Sequence, residues 1–347
     1  MFSVARLIAV RLIFGCLALF LVSMLIFMAI ELLPGDFAEA VLGRSATPET
    51  VDALRRQMGL DQPAIVRYFS WIGGAIQGDF GVSMSGFGSD TRQVADMIGP
   101  RLFNTVFLAI MAAICAVPVA LSMGVLTALW RNSVFDRVAS VATLIAISLP
   151  EFFVAYLLSY FIISKDMFAQ SQMGLLLPDF VSQGFGWLLQ LVPSFPTLAI
   201  IDDAPFWEQV WRLSLPAITL TLVSVAHMMR MTRAVLISLL SSPYIEMARL
   251  KGLSPMRVIL HHALRNAWAP IATVVAFNLA YLIAGVVVVE VVFVYPGIGQ
   301  LMVDAVKTRD IPVVQACALI FAAAYIVLNL IADLVAIISN PRLLYPR

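Results

Sequence analysis

Long apolar runs separated by short polar segments are the dominant pattern in this chain. The first run, Leu12 to Leu33, has roughly the 20 residues that an α-helix needs to cross a bilayer. Comparable runs predict further spans at about 102–130, 138–164, 213–229, 270–293 and 312–339. The pattern therefore predicts an all-α polytopic membrane protein with six transmembrane helices.

One long segment between the first two spans has a polar pattern of its own. Residues 34–101 contain two helix starts, at Thr47-Pro48-Glu49 and at Asp61-Gln62-Pro63, and Gly59 is expected to end the first helix. A Ser- and Gly-rich stretch up to Asp90 predicts a loop. We expect this segment to form an insertion after the first span.

Basic residues beside the spans predict the orientation of the chain. Arg6 and Arg11 precede the first span, and the short loop 131–137 carries two arginines, so both regions are expected in the cytoplasm. Segment 34–101 follows one span and is then expected outside. Its arginines do not contradict this location, because the charge rule does not count loops longer than about 60 residues. The most basic loop between spans, residues 241–266 (the basic loop), is expected inside through Arg249, Lys251, Arg257 and Arg265.

The predicted organisation has four parts. They are a first transmembrane helix (1–33), an extracytoplasmic domain (34–101), a transmembrane core that includes the basic loop (102–340), and a cytoplasmic tail (341–347). Within the core, Lys165–Gln209 is predicted outside, because it holds one lysine against five acidic residues. Pro193 and Pro196 interrupt its apolar pieces, which favours re-entrant or interfacial helices, with a seventh span as the alternative.

Composition agrees with a membrane protein and excludes other classes. Hydrophobic residues make up 61% of the chain and charged residues 12%, and the mean hydropathy is +0.94. Soluble domains carry about 25% charged residues. The net charge of +1 argues against a nucleic-acid partner. Cys16, Cys115 and Cys317 all lie in apolar runs, so we expect packing residues and neither a disulfide nor a metal site.

Motifs for enzymatic chemistry are missing from the sequence. It contains no GxxxxGK[ST] phosphate loop and no HExxH, CxxC or GxSxG pattern. We therefore predict no catalytic residue, no metal ligand and no cofactor bound by this chain.

Several polar residues nevertheless fall inside predicted spans. For most of them we favour packing between helices, or a position at a helix end near water, over a role in a solute pathway; they are Asn104, His227, Asn278, Glu290, Asn329 and Asp333. Glu151 follows Pro150 inside the third span, where an unpaired carboxylate is costly, so a pathway or pairing role is favoured as much as simple packing. The candidate pathway residues are Glu151, Asn278 and Glu290.

Local signals predict two short helices in the basic loop. Ser242-Pro243 should start the first, with the hydroxyl as its cap, and Glu246 lies near the positive helix end. Gly252 should end this helix in a left-handed conformation, and Ser254-Pro255 should start the second. A loop that only kept positive charge in the cytoplasm would not need two helix starts. We therefore favour a docking element for a soluble partner.

These residues carry a resemblance to a known family. Glu246-Met247-Ala248-x-x-x-Gly252 resembles the E-A-A-x-x-x-G loop of permease subunits of ATP-binding-cassette (ABC) importers. The surrounding YIEMARLKGLS…HALRNAWAPI is similar to the dipeptide/oligopeptide branch, as are LLPGDFAEAVLG, GDFGVS, ISLPEFF, VVEVVFVYPGIGQLMVDAVKTRDIP and NLIAD…NPR. Met247 replaces the second alanine, and Glu151 stands where a small polar residue is more common. The segment Lys165–Gln209 looks longer than is typical.

The resemblance implies a fold and a set of partners. It implies the type I ABC importer permease fold in a bacterial or archaeal inner membrane. The partners would be a second permease (a homologue or a second copy), two ATP-binding subunits that carry ATP and Mg, and an extracytoplasmic substrate-binding protein.

It also implies a function and a set of coupling residues. The chain would be a transport subunit and not an enzyme, with peptides as cargo, or alternatively nickel, opines, oligosaccharides or glutathione. The ATPase-coupling residues would be Tyr244, Glu246, Met247, Ala248, Lys251, Gly252 and Leu253.

An ATP-independent secondary transporter is the main alternative. It would be expected to show clustered charges at mid-membrane, an inverted repeat, or broken helices at matching positions in its two halves. None of these is evident in the sequence.

Overall fold

The computed structural model describes residues 2–32, 47–57, 61–85, 92–170, 193, 195–199, 205–258 and 263–338. Within these ranges the chain is helical, and its only extended pairing is an isolated antiparallel bridge between Val82 and Gln93. The predicted all-α class is confirmed.

Four helices lie in the described residues of the first part of the chain. They are α1 (Phe2–Glu31), α2 (Pro48–Gln57), α3 (Ala64–Ile76) and α4 (Val94–Leu129). Helix α2 begins at the predicted Pro48, and α3 begins directly after the predicted Pro63. The Thr47 hydroxyl accepts a hydrogen bond from the Thr50 N–H at 3.3 Å. Both predicted helix starts are thereby confirmed, whereas Gly59 lies outside the described residues.

The predicted third span is broken into two helices. Helix α5 (Val134–Ser148) and helix α6 (Glu151–Gln170) are bent by 106° relative to each other. Leu149 is extended, with φ −89° and ψ 130°, because a residue before proline is disfavoured in the α conformation and Pro150 has no N–H to continue the helix. The prediction of one continuous helix over 138–164 is therefore wrong.

The remaining helices of the described residues lie in the second part of the chain. In order they are α7 (Phe206–Arg212), α8 (Ser214–Leu240), α9 (Pro243–Leu250), the single turn α10 (Pro255–Arg257), α11 (Leu264–Val292), α12 (Ile298–Thr308) and α13 (Ile311–Ile338). Helix α8 extends well past the predicted end at residue 229, so Arg230 and Arg233 belong to it. Most of 165–209 lies outside the described residues, including the stretch where re-entrant helices or a seventh span were predicted.

Five helices among the described residues are long and apolar enough to cross a bilayer: α1, α4, α8, α11 and α13. The bent pair α5–α6 passes the same test when counted as one span. The total of six then agrees with the number predicted from the apolar runs.

The chain divides into two compact units. The first comprises the described residues up to Asn104 together with Gly297–Leu330. Its core joins the start of α4 to α12 and α13 through buried apolar side chains, among them Val94, Ile98, Leu301 and Val313. Helix α3 packs on α1, where the hydroxyls of Tyr68 and Ser23 lie 2.8 Å apart.

The second unit comprises Thr105–Pro296 and the described residues from Ile331 onward. Within it, α8 packs along α11, and both α5 and α6 contact α8. A buried cluster that includes Leu108, Leu213 and Val286 lies at one end of this bundle. A second cluster, described below, joins the bundle to the basic loop.

Candidate functional site

The first helix of the basic loop is α9, and proline determines where it starts. Pro243 occupies the first helical position, where its fixed φ suits the helix and its missing N–H is no loss. The Ser242 hydroxyl donates to the Leu239 carbonyl and does not cap α9. The predicted capping hydroxyl is therefore wrong, because the preceding helix α8 ends so close that its last carbonyls compete for that donor.

The end of α9 follows the prediction. Gly252 has φ +78°, the left-handed conformation that glycine adopts without steric cost. The Lys251 N–H donates to the Met247 carbonyl at 3.2 Å, and the Leu253 N–H donates to the Ala248 carbonyl at 3.4 Å. The predicted second helix start at Pro255 is also confirmed, although α10 is only one turn long. His261 and His262 lie outside the described residues.

One face of α9 is buried in the second unit. Ile245 is fully buried and Ala248 is 7% exposed. They pack in a cluster with Leu236 of α8 and with Ala267 and Ile271 of α11. Ala248 belongs to the predicted coupling residues, and the structure packs it inside this cluster.

The opposite face of α9 is an exposed apolar stripe. Tyr244 is 40% exposed, Met247 58% and Leu250 77%, and the three residues follow one another at intervals of three. Leu250 was not among the predicted coupling residues, although this interval would have identified it. The other predicted residues border the stripe: Glu246, Lys251 and Gly252 are exposed, and Leu253 is half-buried.

An ion pair joins the first turn of α5 to α8. The Arg233 guanidinium donates from Nε to Oδ1 of Asp136 at 2.7 Å and from Nη2 to Oδ2 at 2.8 Å. The Asn132 N–H donates to the same carboxylate at 2.9 Å, from a residue with φ +66°. Asp136 is buried, so this bidentate pair fixes α5 relative to the half of α8 that leads to α9. Nothing in the sequence predicted that Asp136 would be buried and paired, because it is one residue in a short segment between predicted spans.

The three candidate pathway residues lie in different surroundings. Glu290 is fully buried and accepts a hydrogen bond from the Thr105 hydroxyl at 2.6 Å. Asn278 is half-buried, and its amide donates to the Val274 carbonyl of its own helix at 2.8 Å. Burial, and after it the charge of Glu290, raises the pKa of the neighbouring Tyr295 phenol, which therefore stays neutral.

Glu151, the third candidate, lies at the start of α6, directly after the bend. Its carboxylate rests against Gly285 of α11, so that a Cβ built on Gly285 would lie 2.5 Å from Oε2. The structure thus places Glu151 against α11 at Gly285, whereas Glu290, also on α11, is fully buried. A pathway role for each of the three stays a prediction.

A second anchored carboxylate lies in the first unit. Asp310, between α12 and α13, is buried and accepts hydrogen bonds from the Ser83 hydroxyl, from the Met84 N–H at 3.1 Å and from the Ser85 N–H at 3.3 Å. It thereby fixes the end of the GDFGVS segment to the α12–α13 corner. In the part of the chain that the structure describes, no group of three His, Cys, Asp or Glu side chains could hold a metal ion.

Comparison with known proteins identifies the family. Residues 116–345 match the family model of the binding-protein-dependent transport system inner membrane component, and residues 4–109 match the N-terminal model of such membrane components. The chain is 36% identical over 327 residues to the glutathione transport system permease protein GsiC of Escherichia coli (strain K12), which covers 94% of this chain and 95% of that protein. The GsiC protein of Shigella flexneri serotype 5b (strain 8401) matches with the same identity and coverage.

These matches agree with the six candidate spans. The resemblance seen in the sequence is confirmed, and the secondary-transporter alternative is not supported. The chain belongs to the binding-protein-dependent transport inner membrane component family, and it is a multi-pass inner-membrane permease subunit of an ABC importer.

Proposed function

We propose that this permease imports short peptides, delivered by an extracytoplasmic binding protein and moved through a pathway shared with a second permease. The observation that carries the proposal is the match over 94% of the chain to permeases named for glutathione transport. Glutathione is itself a small peptide. The similarity of the basic loop to dipeptide and oligopeptide permeases supports the same substrate class.

The exposed stripe of α9 is the proposed contact with an ATP-hydrolysing subunit. Tyr244, Met247 and Leu250 would enter an apolar cleft of that subunit, as an amphipathic helix enters a groove. Glu246 and Lys251 would pair with charges at the rim, where they contribute more to specificity than to affinity. ATP and Mg would bind the partner subunits, and this chain would perform no hydrolysis.

Movement of α9 would reach the spans through its buried face. Ile245 packs against Leu236, which lies in the last turns of α8, so a displacement of α9 pushes directly on that helix. Helix α8 runs unbroken over 27 residues and can carry the displacement along its axis. The Asp136–Arg233 pair would pass part of it to α5, the first half of the bent span.

The orientation completes the proposal. The N-terminus, the basic loop and the C-terminal tail would lie in the cytoplasm, which agrees with their basic residues. Residues 34–101 would then face the binding protein, with the segment anchored by Asp310 on the same outer side.

Uptake by the whole complex tests this function. The complex would be purified from native membranes and reconstituted in proteoliposomes, with radiolabelled glutathione and an unrelated tripeptide as substrates. We expect ATP-dependent uptake that unlabelled peptides compete and that nickel and oligosaccharides do not. Uptake of a solute that peptides fail to compete would refute the peptide assignment.

A charge reversal tests the coupling role in the same preparation. Glu246→Lys should abolish substrate-stimulated ATP hydrolysis while insertion and folding stay normal. Glu49→Lys is the matched control, because Glu49 is likewise an exposed acid in the first turn of a short helix. Unchanged coupling in Glu246→Lys would remove α9 from the mechanism.

A further inference from the structure

Glu151 is an ionisable residue without a counter-charge inside a bent span. It is half-buried at the first position of α6, and among the described residues no hydrogen-bond donor or cation contacts its carboxylate. The basic residue farther along the same helix, Lys165, lies 14 positions away, which is about 20 Å along the helix axis. The N-terminus of α6 favours a carboxylate there, but the helix dipole alone does not replace the water that burial removes.

The surroundings of Glu151 make room for this carboxylate. Gly285 on α11 has no side chain, and a Cβ there would lie 2.5 Å from Oε2 and 3.0 Å from Cδ of Glu151. The carboxylate therefore occupies the space that a side chain at position 285 would fill. Gly285 and Glu151 belong to the same compact unit, so the contact is part of one packed structure.

The bend beside Glu151 is a second indication of a site. Leu149 is extended and Pro150 has no N–H, so the helical hydrogen-bond pattern is interrupted within a span. Irregular backbone at membrane depth is tolerated where it is buried in protein or lines a water-filled cavity. An acidic side chain at such a break is typical of the sites where transporters hold their cargo.

A polar residue on α11 lies at a suitable spacing from this carboxylate. Asn278 precedes Gly285 by seven residues, so the two lie on the same face of α11, about 10 Å apart along its axis. The Asn278 amide nitrogen is used within its own helix, and its oxygen accepts no hydrogen bond from any described residue. An extended tripeptide spans about 10 Å.

We propose that Glu151 binds the α-ammonium group of a peptide in transit, with the Asn278 amide oxygen accepting from a peptide N–H farther along the cargo. The inference rests on the proposed function and names the group of the substrate that the permease itself recognises. An ammonium group supplies the positive charge that no described residue places against this carboxylate. Glu151 then determines specificity in the permease, in addition to the selection that the binding protein makes.

The test compares uptake of two peptides by the reconstituted complex. One is a tripeptide with a free amino terminus, and the other is the same tripeptide acetylated at that terminus. The binding protein is a separate chain and is identical in all samples, so a change in the uptake ratio reports on the permease alone. Glu151→Gln keeps the shape of the side chain and removes its charge, and we expect the ratio of free to acetylated uptake to fall at least fivefold.

Two further variants make the result interpretable. Gly285→Ala displaces the carboxylate without changing its charge and should lower the ratio in the same direction, which keeps the proposal testable if Glu151→Gln fails to assemble. Ser148→Ala is the control, because the Ser148 hydroxyl is exposed at the bend and, among the described residues, bonds only to the Leu144 carbonyl of its own helix. Its ratio should equal that of the unmodified protein.

Two outcomes would overturn the inference. An unchanged ratio in Glu151→Gln with uptake maintained would show that the carboxylate does not recognise the amino group. An equal loss for both peptides in Glu151→Gln and Gly285→Ala would indicate an ion pair with the partner permease instead. In either case the unmodified complex still imports peptide with ATP, whereas failure of that uptake would refute the proposed function itself.

Discussion

Replacement of Leu250 by serine isolates the contribution of the exposed stripe. Leu250 is the most exposed of the three apolar residues in the stripe and keeps 77% of its surface open. Full burial of a leucine side chain contributes about 1.5–3 kcal/mol. Docking can bury only the exposed part, so we expect Leu250→Ser to weaken association with the ATPase subunit by about 1–2 kcal/mol, or roughly 5- to 30-fold in affinity.

The same variant should leave the permease itself intact. Exposed positions without special contacts usually change stability by less than about 0.5 kcal/mol. Leu32→Ser is the matched control, because Leu32 is 75% exposed and lies at the end of α1, far from α9 in sequence. Any general effect of losing an exposed leucine should appear in both variants.

The assay is ATP hydrolysis by the detergent-solubilised complex at increasing concentrations of the ATPase subunit. The half-saturating concentration should rise in Leu250→Ser and stay unchanged in Leu32→Ser, with equal maximal rates for both. An unchanged half-saturation in Leu250→Ser, or an equal rise in the control, would refute the assignment of the stripe as the docking surface.

Three further variants test the anchors around the site. Gly252→Ala should destabilise the end of α9 by about 1–2 kcal/mol, because alanine is strained at a φ of +78°. No atom lies within 4 Å of the added Cβ, so the loss reports the backbone strain alone. Faster amide exchange at Leu253 would measure this destabilisation. Asp136→Asn should lower the free energy of unfolding by about 1–3 kcal/mol, which is less than for a fully buried ion pair because Arg233 is half-buried. The unfolding temperature in detergent should fall accordingly. Asp310→Asn should release residues 83–85 from the α12–α13 corner and speed amide exchange at Ser85.

Each of these variants has its own control. Arg137→Gln removes an exposed charge next to Asp136 at the start of α5 and should not change the unfolding temperature. Asp304→Asn removes a carboxylate that bonds only to neighbours on α12, among them Gln300 and Lys307, and should leave exchange at Ser85 unchanged. If a control matched its partner variant, the corresponding anchor would have no special role.

Local signals in the sequence were sufficient for the spans and for most of α9. Apolar runs of bilayer length predict the spans because the backbone must satisfy its own hydrogen bonds in lipid. Pro243 and Gly252 determine the ends of α9 through their own φ preferences, which do not depend on distant residues. The family resemblance added the partners and the transport function.

Hydropathy alone did not reveal the bend in the third span. An apolar run is equally hydrophobic whether it is straight or bent, so the run through Leu149 appears continuous. Pro150 carried the signal, because the residue before a proline is disfavoured in the helical conformation. The length of the apolar run, which is that of one complete span, favours a continuous helix instead.

Contacts between distant residues were beyond the reach of one sequence. Asp136 and Arg233 are 97 positions apart, and Ser83 and Asp310 are 227 positions apart. Such pairs depend on how helices pack, which local preferences do not encode. The burial of Ala248 and Glu290 has the same origin, since it depends on neighbouring helices that come from other parts of the chain.

Purification of the tagged chain from its native membranes in mild detergent tests the central claim most directly. Mass spectrometry of the purified sample identifies what accompanies the chain. The account predicts a permease partner together with phosphate-loop ATPase subunits, and ATP hydrolysis that rises when peptide-loaded binding protein is added. A chain that is recovered alone and moves solute into liposomes without ATP would contradict the account.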